Sequence, residues 1–335
     1  MGHGAAIFGC AGPRLSPDER AFFRDTAPWG FILFARNVED PDQLRRLTGD
    51  LRDAVGWQAP VLTDQEGGRV QRLRAPHWRE WPAPLDHVRA LGSRAARGME
   101  LRARLIGAEL REVGIDVNCT PTADIACEAT HPFLKNRCYG TEKDGVIAAA
   151  RATARGLLAA GVLPVMKHMP GHGRATADSH KEPPRVTATR DTLAETDFAV
   201  FAALRDLPMA MTGHIVFDAL DPAAPVTASA RSVRFLREGL GYDGLLMTDD
   251  LSMEALSGTV AERAKRAKSA GCDVILHCNG TLAEMRAVAG AAGVLEGLAA
   301  ERAERALALR SCPEACETEA LLAELRALEV QAPDG

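Results

Sequence analysis

The chain has 335 residues, of which 46% are apolar, 25% charged and 5% aromatic, and its formal charge at pH 7 is −5. The apolar fraction is too high for a disordered chain, and acidic and basic residues are interleaved without the basic stripe that nucleic-acid binding requires. No apolar stretch reaches the roughly 18–20 residues of a membrane-spanning helix. The composition predicts a globular protein that binds neither nucleic acid nor membrane, and it gives no sign of an obligate protein partner.

The cysteines predict a reducing compartment. Their spacing contains no zinc-type pair of pairs, and several lie inside apolar runs, where a reduced thiol packs as a small apolar residue. The N-terminus has no basic leader before its short apolar run at 5–10, which argues against a secretory signal. We therefore predict a cytoplasmic protein with free thiols.

Short apolar runs alternate with helical patterns along the chain. The runs are nearly continuous, as expected for parallel strands that are buried on both faces. Between the second and third runs, Asp40 as N-cap, Pro41 and a capping-box Gln43 predict the start of a helix that ends at Gly56. Helical spacing recurs at 101–113, 146–160, 193–204 and 260–270. The predicted strands are 5–10, 30–34, 60–63, 115–119, 163–167, 209–212, 244–248 and 272–277.

Eight strands that alternate with helices predict an α/β protein with a parallel sheet. Eight is the number that closes a (β/α)₈ TIM-type barrel, although a doubly wound open sheet agrees with the same count. From residue 295 the sequence is helical and rich in Ala, Glu and Arg. We predict a single barrel domain at 1–294, followed by C-terminal helices at 295–335 that pack on the barrel.

Charged and imidazole side chains follow four of the predicted strands at their C-terminal ends, the face where barrel enzymes carry their chemistry. Successive residues face opposite ways, so one of Asp249 and Asp250 can bond to backbone while the other points into the barrel mouth as a nucleophile or metal ligand. Lysine is rare, with six of the 40 basic residues, which draws attention to Lys167 at the end of the fifth strand. The polar segments are 63–69, 167–173, 213–214 and 249–250.

The glycine-rich loop after the fifth strand contains Asp178 and His180. A carboxylate two residues from an imidazole can reach its Nδ1 and raise its basicity, although an Asx turn beside an incidental histidine fits as well. His168, His172, Asp178 and His180 lie within thirteen residues, so a metal-dependent hydrolase is an alternative. Because the helical spacing of a metal motif is absent and the loop is rich in glycine, we predict no metal site and no cofactor.

Six segments carry a more specific pattern, in the same order along residues 28–280. They are GFILFARNVED (30–40), LTDQEGGRVQRL (62–73), KNRCYG (135–140), KHMPGHG (167–173) with DSH (178–180), MTGHIVF (211–217) and MTDDLSMEAL (247–256). With these segments the chain resembles family 3 glycoside hydrolases, and within them the single-domain bacterial β-N-acetylglucosaminidases of peptidoglycan recycling.

The resemblance implies a retaining exo-β-N-acetylglucosaminidase without a cofactor. Asp249 would be the nucleophile, and His180, held by Asp178, would be the general acid/base. The implied substrate is N-acetylglucosaminyl-1,6-anhydro-N-acetylmuramic acid, with or without its peptide, and a phosphorolytic variant stays open. The implied sugar-binding residues are Asp64, Arg72, Arg137, Lys167 and His168.

Overall fold

A computed structural model of the protein describes residues 2–175, 184–310 and 317–330, and in these ranges eight parallel strands form one sheet. From the second strand to the seventh, each strand pairs with the strand before it along the chain, with registers such as Phe31 opposite Val61. The strands are β1 (Gly4–Gly9), β2 (Pro28–Leu33), β3 (Val61–Thr63), β4 (Val117–Asn118), β5 (Leu163–Met169), β6 (Met209–Thr212), β7 (Leu245–Met247) and β8 (Ile275–His277). All eight lie within or overlap the predicted runs.

The sheet closes on itself. β1 pairs with β8, where Ile7 is opposite Leu276, and a parallel bridge between Met247 and Val274 connects β7 with the start of β8. The TIM-type barrel is therefore confirmed, and the open doubly wound alternative is wrong. Every residue of β2 and β5 is buried, which explains why these strands are continuous apolar runs in the sequence.

Helices surround the barrel, and 3₁₀ or π turns complete some connections. The helices are α1 (Pro17–Thr26), α2 (Pro41–Val55), α3 (Pro84–Leu91), α4 (Ala95–Glu112), α5 (Pro132–Lys135), α6 (Lys143–Ala159), α7 (Arg190–Glu195), α8 (Asp197–Ala203), α9 (Ala230–Arg234), α10 (Val260–Ala270), α11 (Leu282–Ala292), α12 (Gly297–Ala308) and α13 (Thr318–Val330). None of these described helices has the length and hydropathy to cross a membrane.

Two helix predictions need correction. Asp40 caps α2 as expected, but the Gln43 side chain accepts from the Glu39 N–H at 2.8 Å, because its amide is also held by the Asn37 carbonyl. The predicted capping box therefore does not form. The single helix predicted at 193–204 is broken between α7 and α8 at Thr196, whose hydroxyl donates to the Thr192 carbonyl at 2.6 Å and competes with the helical backbone pattern.

The helices after residue 295 share the hydrophobic core of the barrel. Ala303 and Ala306 of α12 and Leu325 of α13 are buried in that core, and α13 packs against α3 and α4. The helical character of this segment is confirmed for its described residues, while a domain boundary between 294 and 295 stays a prediction. The six cysteines in the described ranges are free.

Candidate active site

A cavity of about 430 Å³ opens at the C-terminal ends of the barrel strands. It contains six of the eight residues that the sequence predicted for the site, and Asp178 and His180 lie outside the described residues. The six are Asp64, Arg72, Arg137, Lys167, His168 and Asp249. They meet because the C-terminal ends of parallel barrel strands converge on one rim.

Strand ends place some of these residues at the cavity, and local structure outside the barrel strands places the others. Asp64 directly follows β3, and Lys167 and His168 belong to β5. Arg72 follows a small antiparallel pair, Gln65–Gly67 with Val70–Gln71. The Gln65 Oε1 accepts the Arg72 N–H at 2.9 Å and so folds this arginine back over the barrel mouth. Arg137 lies just after the short helix α5.

Lys167 lies at the centre of a buried ion network. Its Nζ is 2.8 Å from Asp64 Oδ1 and 2.7 Å from Glu66 Oε1. Arg72 pairs with the other oxygen of Asp64 at 3.0 Å, and Arg137 holds Glu66 through two bonds of 2.9 Å. The network holds charged hydrogen-bond donors and acceptors in fixed positions at the cavity, where they can form strong hydrogen bonds to a polar ligand.

The network determines the charge state of its members. Burial alone would raise the pKa of Glu66, but Arg137 and Lys167 bring it down to about 2, and Lys167 with Arg72 also lowers the pKa of Asp64. Burial alone would lower the pKa of the Lys167 ammonium, but the carboxylates of Asp64 and Glu66 raise it. All of these groups are therefore charged at neutral pH. Glu66 is a site residue that the sequence analysis missed, although it lies within the segment LTDQEGGRVQRL.

Asp124 is a second residue that was missed. Its Oδ2 accepts the Nδ1–H of His168 at 2.7 Å, so the lone pair of His168 Nε2 faces Arg137 Nη2, 3.5 Å away. The other oxygen of Asp124 accepts the backbone N–H of His172 at 2.7 Å. Burial and the neighbouring His168 lower the pKa of His172 to about 4. This arrangement fixes one tautomer of His168 in the cavity wall.

The metal-site alternative finds no support in the part of the chain that the structure describes. Within residues 2–175, 184–310 and 317–330, no group of three or more His, Cys, Asp and Glu side chains is placed to hold a metal ion. Of the four candidate ligands, His168 already donates through Nδ1 to Asp124. Asp178 and His180 are outside the described ranges.

The two carboxylates after β7 have different surroundings. Asp250 is fixed to the loop after β8, where its Oδ1 accepts the Cys278 N–H at 3.0 Å. Both carboxylates line the cavity, and the Asp249 Oδ1 accepts the Asp250 N–H at 2.8 Å. Burial alone would raise the pKa of Asp249, but the imidazoles of His214 and His168 lower it below its usual value. Asp249 is therefore an ionised carboxylate that faces the cavity.

Lys167→Met is expected to lower the free energy of unfolding at pH 7 by about 3–5 kcal/mol, because it leaves buried carboxylates without their shared partner. Equilibrium urea denaturation measures this difference. Lys265→Met, which changes an exposed lysine of α10, is the control and should stay within about 0.5 kcal/mol of the unaltered protein. A loss of less than about 1 kcal/mol in Lys167→Met would contradict the role of the network.

The difference in the free energy of unfolding between Lys167→Met and the unaltered protein should depend on pH, in a direction that follows from the pKa shifts. The lowered pKa values of Asp64 and Glu66 stabilise the fold above the unfolded values of about 4, and this contribution is lost as the pH falls toward the folded values. In Lys167→Met each buried carboxylate keeps one arginine but loses the shared ammonium, so we expect the pKa values of Asp64 and Glu66 to be higher than in the unaltered protein. These groups then become protonated and neutral at a higher pH, where the loss of the ammonium costs less. The stability difference should therefore narrow below about pH 4.

Comparison with known proteins gives a consistent result. The model of the glycosyl hydrolase family 3 N-terminal domain matches residues 14–308. A beta-hexosaminidase of Methylococcus capsulatus is 36% identical over 277 residues, which cover 82% of each chain.

Solved structures agree. NagZ from Neisseria gonorrhoeae, in complex with N-trifluoroacetyl-D-glucosamine, is 27% identical with a TM-score of 0.85, covering 99% of this chain and 97% of that one. A glycoside hydrolase family 3 beta-N-acetylglucosaminidase from Paenibacillus is 31% identical with a TM-score of 0.81, covering 99% of this chain and 63% of the other.

Proposed function

The chain belongs to glycosyl hydrolase family 3 and is a glycoside hydrolase, and from that premise we propose that it removes terminal β-linked N-acetylglucosamine with retention of configuration. The observation that supports this most directly is the cavity, which is lined both by the ionised Asp249 and by residues of the Lys167 network. The names of the relatives and the acylated glucosamine bound by the Neisseria protein favour a 2-acetamido sugar over glucose.

The proposed reaction has two steps. Asp249 attacks the anomeric carbon while His180, as imidazolium, protonates the leaving oxygen, and a glycosyl-enzyme forms. Water then releases the sugar after losing a proton to the neutral His180. An unperturbed imidazole has a pKa near 6.5, so a useful fraction is protonated at pH 7, and Asp178 would support that charge. A neutral base also avoids a second anion beside Asp249.

The charges around the cavity suit a neutral polyol. Lys167, Arg72 and Arg137 carry three positive charges against the two negative charges of Asp64 and Glu66, and the ionised Asp249 in the same cavity supplies the third negative charge. Together these six groups have no net charge and therefore little net attraction for an anionic substrate. Hydroxyl groups can both donate to the carboxylates and accept from the cations, and such charge-assisted bonds are strong. We assign the sugar hydroxyls to Asp64, Arg72, Arg137, Lys167 and His168.

We also propose the finer biological setting. The substrate would be N-acetylglucosaminyl-1,6-anhydro-N-acetylmuramic acid, with or without its peptide, in a cytoplasmic recycling route. The free thiols of the described cysteines suit a reducing compartment. Residues 1–294 would form the catalytic barrel and residues 295–335 its helical addition.

Product analysis on an aryl N-acetyl-β-glucosaminide tests the reaction class. We expect free N-acetylglucosamine as the product, with or without added phosphate, and unchanged activity after prolonged EDTA treatment. The aryl β-glucoside should have a kcat/KM at least about 10²-fold lower, because a site that hydrogen-bonds an amide rejects a ligand without it.

Each arm of this experiment has its own opposing result. N-acetylglucosamine 1-phosphate as the product would identify the phosphorolytic alternative. Loss of activity with EDTA that returns on adding zinc would favour the metal-dependent alternative. Comparable kcat/KM values for the two aryl glycosides would refute the 2-acetamido specificity.

A further inference from the structure

A series of hydrogen bonds connects the end of the C-terminal helix α13 with the loop that carries Glu66. The Glu329 Oε1 lies 3.0 Å from His87 Nε2, on helix α3. The Nδ1 of the same imidazole lies 2.7 Å from Arg102 Nη1, on helix α4. The Arg102 Nη2 then donates to the backbone carbonyl of Glu66 at 2.7 Å. Three helices are thus joined to one loop at the rim of the cavity.

The direction of each bond follows from the chemistry of the groups. A guanidinium only donates, so His87 Nδ1 must accept from Arg102. A neutral imidazole carries a single N–H, which is then on Nε2 and is donated to the Glu329 carboxylate. Burial and the charge of Arg102 lower the pKa of His87 to about 3, consistent with a neutral ring at the pH where the enzyme would work. Glu329 therefore favours the tautomer that lets His87 hold Arg102.

Arg102 supports the loop directly. Its side chain is fully buried, and it donates to the carbonyls of Glu66 and Pro82, both at 2.7 Å. Among the described residues it forms no ion pair with a carboxylate, so His87 is its one side-chain hydrogen-bond partner there. Gly67 lies against the guanidinium so closely that a Cβ would be 1.9 Å from Nη2. The backbone at Glu66 and Gly67 thus follows the position of Arg102.

We propose that Glu329, His87 and Arg102 are positioning residues for the cavity, so that helix α13 contributes to catalysis through Glu329. They act through Glu66, whose carboxylate holds Lys167 at 2.7 Å and Arg137 at 2.9 Å. A displacement of about 1 Å in such groups can cost on the order of 10²-fold in rate. The kinetic test below rests on the proposed glycosidase function.

Helix α13 offers a matched pair of charge reversals. Glu329→Arg places a donor against His87 Nε2 and favours the tautomer whose Nδ1–H opposes Arg102. Glu324→Arg reverses a second carboxylate of α13, which pairs with Arg97 at 2.8 Å on the surface and does not contact His87 or Arg102. Each variant removes one side-chain contact that docks α13, a hydrogen bond to His87 in Glu329→Arg and an ion pair with Arg97 in Glu324→Arg. Only the contact with His87 leads to the cavity.

We expect kcat/KM for the aryl N-acetyl-β-glucosaminide to fall about tenfold in Glu329→Arg and less than about twofold in Glu324→Arg, with similar changes in Tm.

Two substitutions of His87 provide a second test of the same proposal. Glutamine at position 87 can accept from Arg102 and donate to Glu329 at once, so His87→Gln should keep several times more activity than His87→Leu.

The outcomes distinguish a failure of the proposed glycosidase function from a failure of the proposed positioning role. If the unaltered protein does not hydrolyse the substrate, both the proposed function and the positioning role that rests on it are overturned. If it does, equal kcat/KM values for Glu329→Arg and Glu324→Arg would overturn the positioning role, whether both fell or neither did. Equal activities of the folded His87→Gln and His87→Leu proteins would also overturn it.

Discussion

Asp249→Ala is expected to reduce kcat by at least about 10⁴-fold, because removal of a catalytic nucleophile costs on this order or more. The loss should be the same for aryl and sugar leaving groups, since the proposed bond from Asp249 to the anomeric carbon forms in the same displacement that expels either group. The ionised state of the carboxylate and its place in the cavity wall are the structural reasons for choosing it. Steady-state kinetics on two aryl glycosides and one disaccharide provides the measurement.

Asp250→Asn is the matched comparison. The Asp250 carboxylate accepts the N–H of Ser252 and of Cys278, both at 3.0 Å, so its replacement should mainly lower Tm. We expect its kcat to stay within about tenfold of the original value, because the effect on the chemistry is indirect. If Asp250→Asn were the inactive variant and Asp249→Ala the active one, the assignment of the nucleophile would have to be exchanged.

His180→Ala should lose about 10²–10⁴-fold on a sugar aglycone, which needs a proton to depart. A nitrophenolate leaves without that assistance, so the variant should form glycosyl-enzyme from a nitrophenyl substrate and then stall, because the same imidazole activates the water. Mass spectrometry should then detect a protein heavier by one N-acetylglucosaminyl group. A small nucleophile such as azide should restore turnover.

Two further variants delimit this result. Asp178→Ala should show a milder form of the same pattern, because the imidazole remains but loses its orientation and charge support. His77→Ala, at an exposed histidine that does not line the cavity, should leave both substrates unaffected. Equal losses of His180→Ala on both aglycones, with no effect of azide, would make His180 a binding residue and require another acid/base.

The barrel was predictable because its strands are buried on both faces. Such strands are continuous apolar runs, as at 163–167, and the polar residue that follows each run marks the strand end. Thr196 illustrates the limit, since the periodicity of 193–204 continues across it while a side-chain bond to Thr192 interrupts the backbone. Local competition of this kind leaves no trace in hydrophobic spacing.

Site residues that lie at or just after the end of a strand were predictable from the sequence. Site residues whose place depends on tertiary contacts were not. Asp249 comes two residues after β7 and Lys167 lies near the C-terminal end of β5, and the rarity of lysine added a second signal. Asp124 comes shortly after β4, so the same rule applied to the fourth strand would have found it. The role of Glu66 is visible only from its contact with Lys167, which is about 100 residues away in the chain. The role of Arg102 is likewise visible only from its hydrogen bond to the backbone of the loop that folds over it.

The paired charges around Lys167 also affect the energetics of the reaction itself. In water, solvent dipoles must rotate as charge develops at the anomeric centre, and that reorganisation is part of the activation barrier of the uncatalysed reaction. In this protein Asp64, Glu66 and their cations are oriented when the chain folds, with each carboxylate held from two sides. The cavity therefore meets the substrate with its electric field already in place, and little rearrangement remains for the moment of bond cleavage.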